Sequence, residues 1–250
     1  MLDFAHIRVG LLDTIPADFY LEGEASDPQK FMDMFAAAGL AFSYETWHVA
    51  EGEMPESLDE CDAWLITGSP CSVYEDLPWI PVLETFIREA FEAAKPQVGV
   101  CFGHQIVARA LGGHVAKAET GWVLGRHHLR VNVERHWMAQ TLDEYTLHYI
   151  NQDQVIDLPP TVRLLGESPR CPNALYEAEG RVLCIQPHPE QPVSSMQIFT
   201  DVLLHKGAIT EAEHQDCYAT LESGTADSTL VAGWLGQFII DSTTRRQEER

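Results

Sequence analysis

The chain has 250 residues, 45% of them hydrophobic, which is enough to bury a full core in one large domain or two small ones and excludes a disordered chain. Sixteen basic residues stand against 38 acidic ones, and the formal charge of −22 repels phosphate backbones and anionic membrane surfaces. Neither nucleic acid nor membrane is an expected partner; a solvated acidic face accounts for the charge, with a docking surface for a basic partner as the alternative.

In chain order, HIRVGLL (6–12) reads as a strand and PQKFMDMFAAAG (28–39) as a helix ending at Gly39. AFSYETWHV (41–49) alternates as a strand does, and DAWLITG (62–68) is a buried strand. PWIPVLETFIREAFEAA (78–94) has apolar residues at helical spacing; PQVGVCF (96–102) is the next strand and leads into the helix HQIVARALGG (104–113). Strand and helix in alternation predict a parallel sheet covered on both faces. Beyond residue 113 the pattern changes to short strands at 121–133, 144–150, 162–168, 173–179 and 181–186, separated by Gly, Pro and Asn turns. These predict an antiparallel layer and a return to the main sheet. The end of the chain, from SSMQIFTDVLLHKG to STLVAGWLGQFII, reads as helical, and DSTTRRQEER as a frayed polar tail. No repeat, low-complexity block or linker interrupts the pattern. The expected organisation is a single domain over 1–250, with a core of about 5–205, a helical extension over 206–242 and a polar tail over 243–250.

The first residues have neither a basic start nor a long apolar stretch, and no apolar run reaches the roughly 18 residues of a membrane helix, so a cytoplasmic protein is expected. Six cysteines, at 61, 71, 101, 171, 184 and 217, form no CxxC pair and no zinc-finger spacing. His127 and His128 are adjacent and face opposite sides of a strand, which does not make a ligand pair. No metal or cofactor is expected.

Two stretches carry chemistry. GVCFGHQ (99–105) ends a strand in Gly-x-Cys-x-Gly and runs straight into a helix, the mechanics of a nucleophile elbow, in which a sharp turn lifts a reactive side chain clear of the sheet. Gly99 and Gly103 leave room for the turn, and the positive end of the helix favours a thiolate on Cys101. From the motif alone, a strand-end cysteine without function remains the alternative. IQPHPE (185–190) offers the base and its orienter: His188 and Glu190 lie two apart, on one side of an extended chain stiffened by Pro187 and Pro189. Glu190 can then hold the imidazole in the right tautomer, as the acidic member of a triad does.

GVCFGHQIVARALGG, ITGSPCSVYED and IQPHPE together resemble the class I glutamine amidotransferases of the Cys-His-Glu type, and more closely the freestanding branch similar to the glutaminase part of GMP synthase, which includes the plant gamma-glutamyl peptidases. The resemblance covers roughly residues 5–205. It implies an α/β, flavodoxin-like fold, with a mostly parallel central sheet flanked by helices and a small antiparallel layer. It implies hydrolysis of a γ-glutamyl amide through a Cys101 thioester, with His188 and Glu190 completing the triad and the amides of Phe102 and Ser69 forming the oxyanion hole, Gly68 permitting the turn. By the same resemblance Gln105, Trp122, Gln152 and Asp153 line the substrate pocket. Two departures stand out. Asn151-Gln152-Asp153 occupies the place where the family often has His-Gln-Asp, and ETGWVLG lacks an Asn-Pro often found just before it. The chain has no GxxxxGK[ST] loop, so any new C–N bond requires a separate synthase to supply acceptor and ATP. A freestanding γ-glutamyl hydrolase, a glutaminase subunit delivering ammonia to such a partner, and a catalytically silent binding or regulatory module are the three readings.

Overall fold

Among the described residues nine strands form one sheet and two more form a small one. In chain order the elements begin with β1 (Leu2–Asp13), α1 (Asp27–Ala37), β2 (Leu40–His48), β3 (Ala63–Ile66), α2 (Trp79–Glu92), β4 (Gln97–Val100) and α3 (Phe102–Ala110). There follow β5 (His114–Lys117), β6 (Val123–Val131), β7 (Glu144–Asn151), β8 (Asp153–Asp157), β9 (Arg163–Ser168), β10 (Cys171–Ala178) and β11 (Val182–Ile185). The chain ends in α4 (Val193–His205), α5 (Glu211–Glu222) and α6 (Ser228–Glu248). This computed structural model describes residues 2–20, 23–138, 142 and 144–248, the side chains of residues 2, 3 and 5 excepted.

The neighbours β2, β1, β3, β4 and β11 all pair in parallel, whereas β10, β9, β6 and β7 join antiparallel. The strand order at the parallel end is that of a flavodoxin-like sheet. The antiparallel strands prolong this sheet, and β5 with β8 makes the separate small layer. Every residue of β3, β4 and β11 is buried, as expected of strands covered on both faces. One face packs Leu11, Leu65 and Val98 against Phe31 and Phe35 of α1 and Trp234 and Phe238 of α6. The other packs Trp64 and Ile66 against Leu83 and Ile87 of α2 and Ile106 and Val107 of α3.

Helix ends follow local chemistry. The Ser26 hydroxyl accepts the Gln29 amide at the start of α1, and Thr210 with Glu213 makes a capping box that starts α5. The helical C-terminal region is thus three helices, broken where Gly207 (φ 66°) leaves α4 and Gly224 (φ 158°) leaves α5. The polar tail departs from expectation: α6 continues through Glu248, with Ser242 and Thr243 buried and the Ser242 hydroxyl donating to the Gly180 carbonyl at 2.9 Å. Residues 249 and 250 lie outside the described residues. No described helix is long and apolar enough to cross a membrane.

Candidate active site

Thr14, Thr67, Cys101 and His188 each follow the end of a parallel strand, β1, β3, β4 and β11, so the four are gathered at the carboxyl edge of the sheet. That edge is where open α/β sheets bind ligands. Cys101 lies between β4 and α3 at φ 53° and ψ −103°, a conformation that costs a non-glycine residue about 1–3 kcal/mol. It persists because its surroundings fix it: its amide donates to the Ile185 carbonyl at 3.0 Å, its carbonyl accepts the Gln105 amide at 3.0 Å, and Gly103 N–H donates to the Thr67 carbonyl at 3.0 Å. The flanking glycines do not carry the positive φ. They allow contact: a Cβ at Gly99 would lie 2.6 Å from the Gly103 carbonyl oxygen, and one at Gly103 2.3 Å from that of Ile66. The Phe102 amide, at the first position of α3, has no partner within the helix and lies at its positive end. The Phe102 ring is turned into the core, 5.4 Å from that of Trp79.

The HPE segment is not a regular strand but a single antiparallel bridge, in which His188 N–H donates to the His148 carbonyl at 2.8 Å. The pairing expected of its side chains is present nonetheless: Nδ1 of His188 lies 2.6 Å from Oε1 of Glu190, whose side chain is fully buried. Burial opposes a charge on the His188 ring, but the Glu190 carboxylate and the Cys101 sulfur outweigh it and hold the imidazole well above its ordinary value. Gly68 closes the group, since a Cβ there would come 3.2 Å from Cε1 of His188 and 3.9 Å from Cβ of Cys101.

Hydroxyl groups hold the turn after β3. The Gly68 carbonyl accepts from Oγ1 of Thr14 at 2.8 Å and from Oγ1 of Thr67 at 3.1 Å, and Oγ of Ser69 donates to the Thr14 carbonyl at 2.7 Å. In a trans peptide the N–H opposes the carbonyl, so the Ser69 amide is turned away from these threonines. Gly68, Ser69, Cys101, Gln105, Trp122, Asn151, Gln152, Asp153 and His188 all line one cavity of about 660 Å³. Of its lining residues, Gln105 donates through Nε2 to the Asp153 carbonyl at 2.8 Å and to Oε1 of the buried Gln186 at 3.1 Å, and Oδ1 of Asp153 accepts from Tyr74 O–H at 2.9 Å. Asn151, at the place of the family histidine, donates to the Asp153 carbonyl at 3.2 Å.

Three residues at this site escape a reading of the sequence. His148 braces the base from behind: its carbonyl takes the His188 amide, and its Nδ1 lies 2.8 Å from the Gln191 carbonyl. Asp27 lines the cavity and its carboxyl is pushed up to about 6, first by burial and then by Glu190, against the pull of Lys30, His188 and Gln191. Its Oδ1 accepts from Nζ of Lys30 at 3.4 Å and from Nε2 of Gln191 at 3.1 Å. In sequence Asp27 is only an acidic residue in a first helical turn, His148 a histidine on an alternating strand and Gln191 a polar residue after a proline. No local signal sets them apart. Among the described residues no group of three or more His, Cys, Asp or Glu is arranged to hold a metal ion. Nε2 of His127 lies 2.7 Å from the Leu124 carbonyl.

The profile of the family described as glutamine amidotransferase class-I matches residues 30–204. The chain belongs to the class I glutamine amidotransferases. Like its family it is an enzyme. It is 30% identical over 191 residues to gamma-glutamyl peptidase 4 of Arabidopsis thaliana, covering 74% of this chain and 76% of that one. It is 32% identical over 129 residues to the glutamine-hydrolyzing GMP synthase of Streptococcus uberis, covering 50% of this chain and 24% of the synthase. The fold agrees with that of a glutamine amidotransferase from Thermotoga maritima, with a TM-score of 0.74 at 20% identity over 95% of this amidotransferase and 98% of the other.

Proposed function

We propose that the chain hydrolyses a γ-glutamyl amide, glutamine or a γ-glutamyl peptide or amine, through a thioester on Cys101. The observation that carries this reading is Cys101 at a positive φ at the head of α3, in one cavity with His188, whose ring is hydrogen-bonded to Glu190 at 2.6 Å. His188 takes the thiol proton, and the thiolate attacks the γ-carbonyl carbon. Negative charge passes to the carbonyl oxygen, where the amides of Phe102 and Ser69 receive it; losing one such donor costs about 3–4 kcal/mol. The C–N bond breaks, His188 returns its proton to the departing amine, and the acyl group remains on sulfur. Water, deprotonated by His188, then cleaves the thioester, releasing glutamate and the thiol. Glu190 fixes the tautomer and stabilises the imidazolium throughout. Gln105, Trp122, Gln152 and Asp153 hold the glutamyl portion. Side chains, backbone amides and water close every step.

A freestanding hydrolase is the preferred form, because the hydrogen bonds from Thr14 and Thr67 to the Gly68 carbonyl orient the Ser69 amide without a partner chain. The second reading, a glutaminase subunit serving a separate synthase, is favoured by the partial match to GMP synthase, of which only 24% is covered. The test is to give the purified chain glutamine and a panel of γ-glutamyl peptides without ATP and to quantify glutamate and the released amine. Steady turnover by the isolated chain is expected. No release of glutamate from any of them contradicts the hydrolase reading, and turnover that appears only with a partner present moves the protein to the second.

A further inference from the structure

Two groups of residues with different chemistry line the cavity. Beside Cys101 and His188 it is lined by a polar group, Gln105, Lys117, Asn151 and Asp153, in which Gln105 donates to the Asp153 carbonyl, and by a second group from the loop after β1 and from α4. Because His188 gives its proton to the departing amine, that amine stands on the His188 side of the sulfur. On that side is Asp27, which acts electrostatically on both His188 and Glu190, and whose Oδ2 lies 3.9 Å from the position a Gly68 Cβ would take. Past Asp27 the cavity is walled by Ile15, Phe19, Phe199, Val202 and Leu203, with Lys206 at the rim.

We propose, resting on the γ-glutamyl hydrolase reading above, that this second group forms a leaving-group subsite for an amino acid that has an apolar side chain and a free α-carboxylate. The substrate class is then γ-glutamyl peptides rather than glutamine itself. Four observations carry the assignment. The wall is apolar and continuous with the reacting centre. Its aromatic rings are held in place by cations: Nζ of Lys206 lies 5.1 Å from the Phe19 ring centroid, and Nζ of Lys30, bound to Asp27, lies 5.1 Å from that of Phe199. The lysines of this strongly acidic chain are Lys30, Lys95, Lys117 and Lys206, and two of them line this one cavity, Lys117 in the strand paired with Asp153 and Lys206 over the Phe19 ring. A γ-glutamyl amino acid carries two carboxylates, one for each of these lysines. Asp27 supplies an acceptor for the N–H of the scissile amide, and Asp18, on the same rim as Lys206, disfavours a second carboxylate on the leaving group.

The test compares kcat/KM for γ-glutamylphenylalanine, γ-glutamylphenethylamide, which keeps the ring and lacks the carboxylate, and glutamine, in the wild type and in Lys206→Gln. The wild type is expected to prefer γ-glutamylphenylalanine over both others, and Lys206→Gln to reduce its preference over the phenethylamide about fivefold, the size of an exposed ion pair, with the wild-type preference shrinking as salt rises. Phe199→Ala is expected to erase most of the advantage of γ-glutamylphenylalanine over γ-glutamylglycine. Equal use of the two phenyl substrates, or a preference that Lys206→Gln leaves untouched, overturns the subsite while leaving the hydrolase reading intact. No glutamate release by the wild type from any of these substrates overturns both.

Discussion

Glu190 and Asp153 are both acidic, and both belong to the candidate site, yet their surroundings differ. Glu190 is sealed behind the imidazole at 2.6 Å, whereas Asp153 lines the cavity and accepts from Tyr74. Glu190→Gln keeps shape and loses charge, so steady-state kinetics should show kcat lowered by about three to four orders of magnitude with KM little changed. Asp153→Asn should instead raise KM several-fold and leave the alkylation rate of Cys101 close to that of the wild type. If Glu190→Gln is nearly silent while Asp153→Asn stops catalysis at unchanged KM, the third member of the triad is misassigned. At this scale the sequence was informative where a motif is contiguous: Gly-Val-Cys-Phe-Gly and His-Pro-Glu carry their geometry in adjacent residues. Gln191 and Asp27 are 164 residues apart and meet only through the fold, so no local pattern could disclose them.

Among the elements, the approach of α3 to β3 is the contact on which the elbow depends. Gly103 lies against the backbone of Ile66, and a Cβ there would meet backbone rather than a yielding side chain. Gly103→Ala should therefore cost about 1–3 kcal/mol in urea unfolding and lower turnover more than it lowers stability, because it displaces Cys101 itself. The buried strands β3, β4 and β11 and the helices packed on them were legible as apolar runs and helical periodicity. A small antiparallel layer was expected, but the strands that make it, β5 and β8, were not among those read from the sequence. His114 and Lys117, at the ends of β5, are exposed, and its strand character comes from pairing with β8 rather than from its own four residues. The C-terminal segment misled for the opposite reason: its polar residues pack against the rest of the chain, with Ser242 bonded to Gly180. Removing residues 241–250 should lower the thermal midpoint by several degrees, read by circular dichroism, whereas a frayed tail would leave it unchanged.

For the whole molecule, burying Asp27 beside the triad links stability to pH. Its carboxyl lies at about 6 in the folded chain, above an ordinary value of 3.8. The folded state thus binds the proton more tightly than the unfolded state, and the contribution to stability falls as pH rises from about 4 through 6. Between pH 5.5 and 7.5 this amounts to about 1 kcal/mol, and Asp27→Asn, which cannot ionise, should gain that much relative to the wild type over the same interval in urea titrations. A difference independent of pH would show that Asp27 titrates normally.

The central claim is that Cys101 carries the acyl group, and acid-quenched peptide mass spectrometry during turnover of a γ-glutamyl substrate tests it most directly. A glutamyl adduct is predicted on the peptide containing Cys101, with neither adduct nor glutamate release in a folded Cys101→Ala protein. An adduct on Cys61, Cys71 or Cys184, or undiminished hydrolysis by Cys101→Ala, would contradict the account.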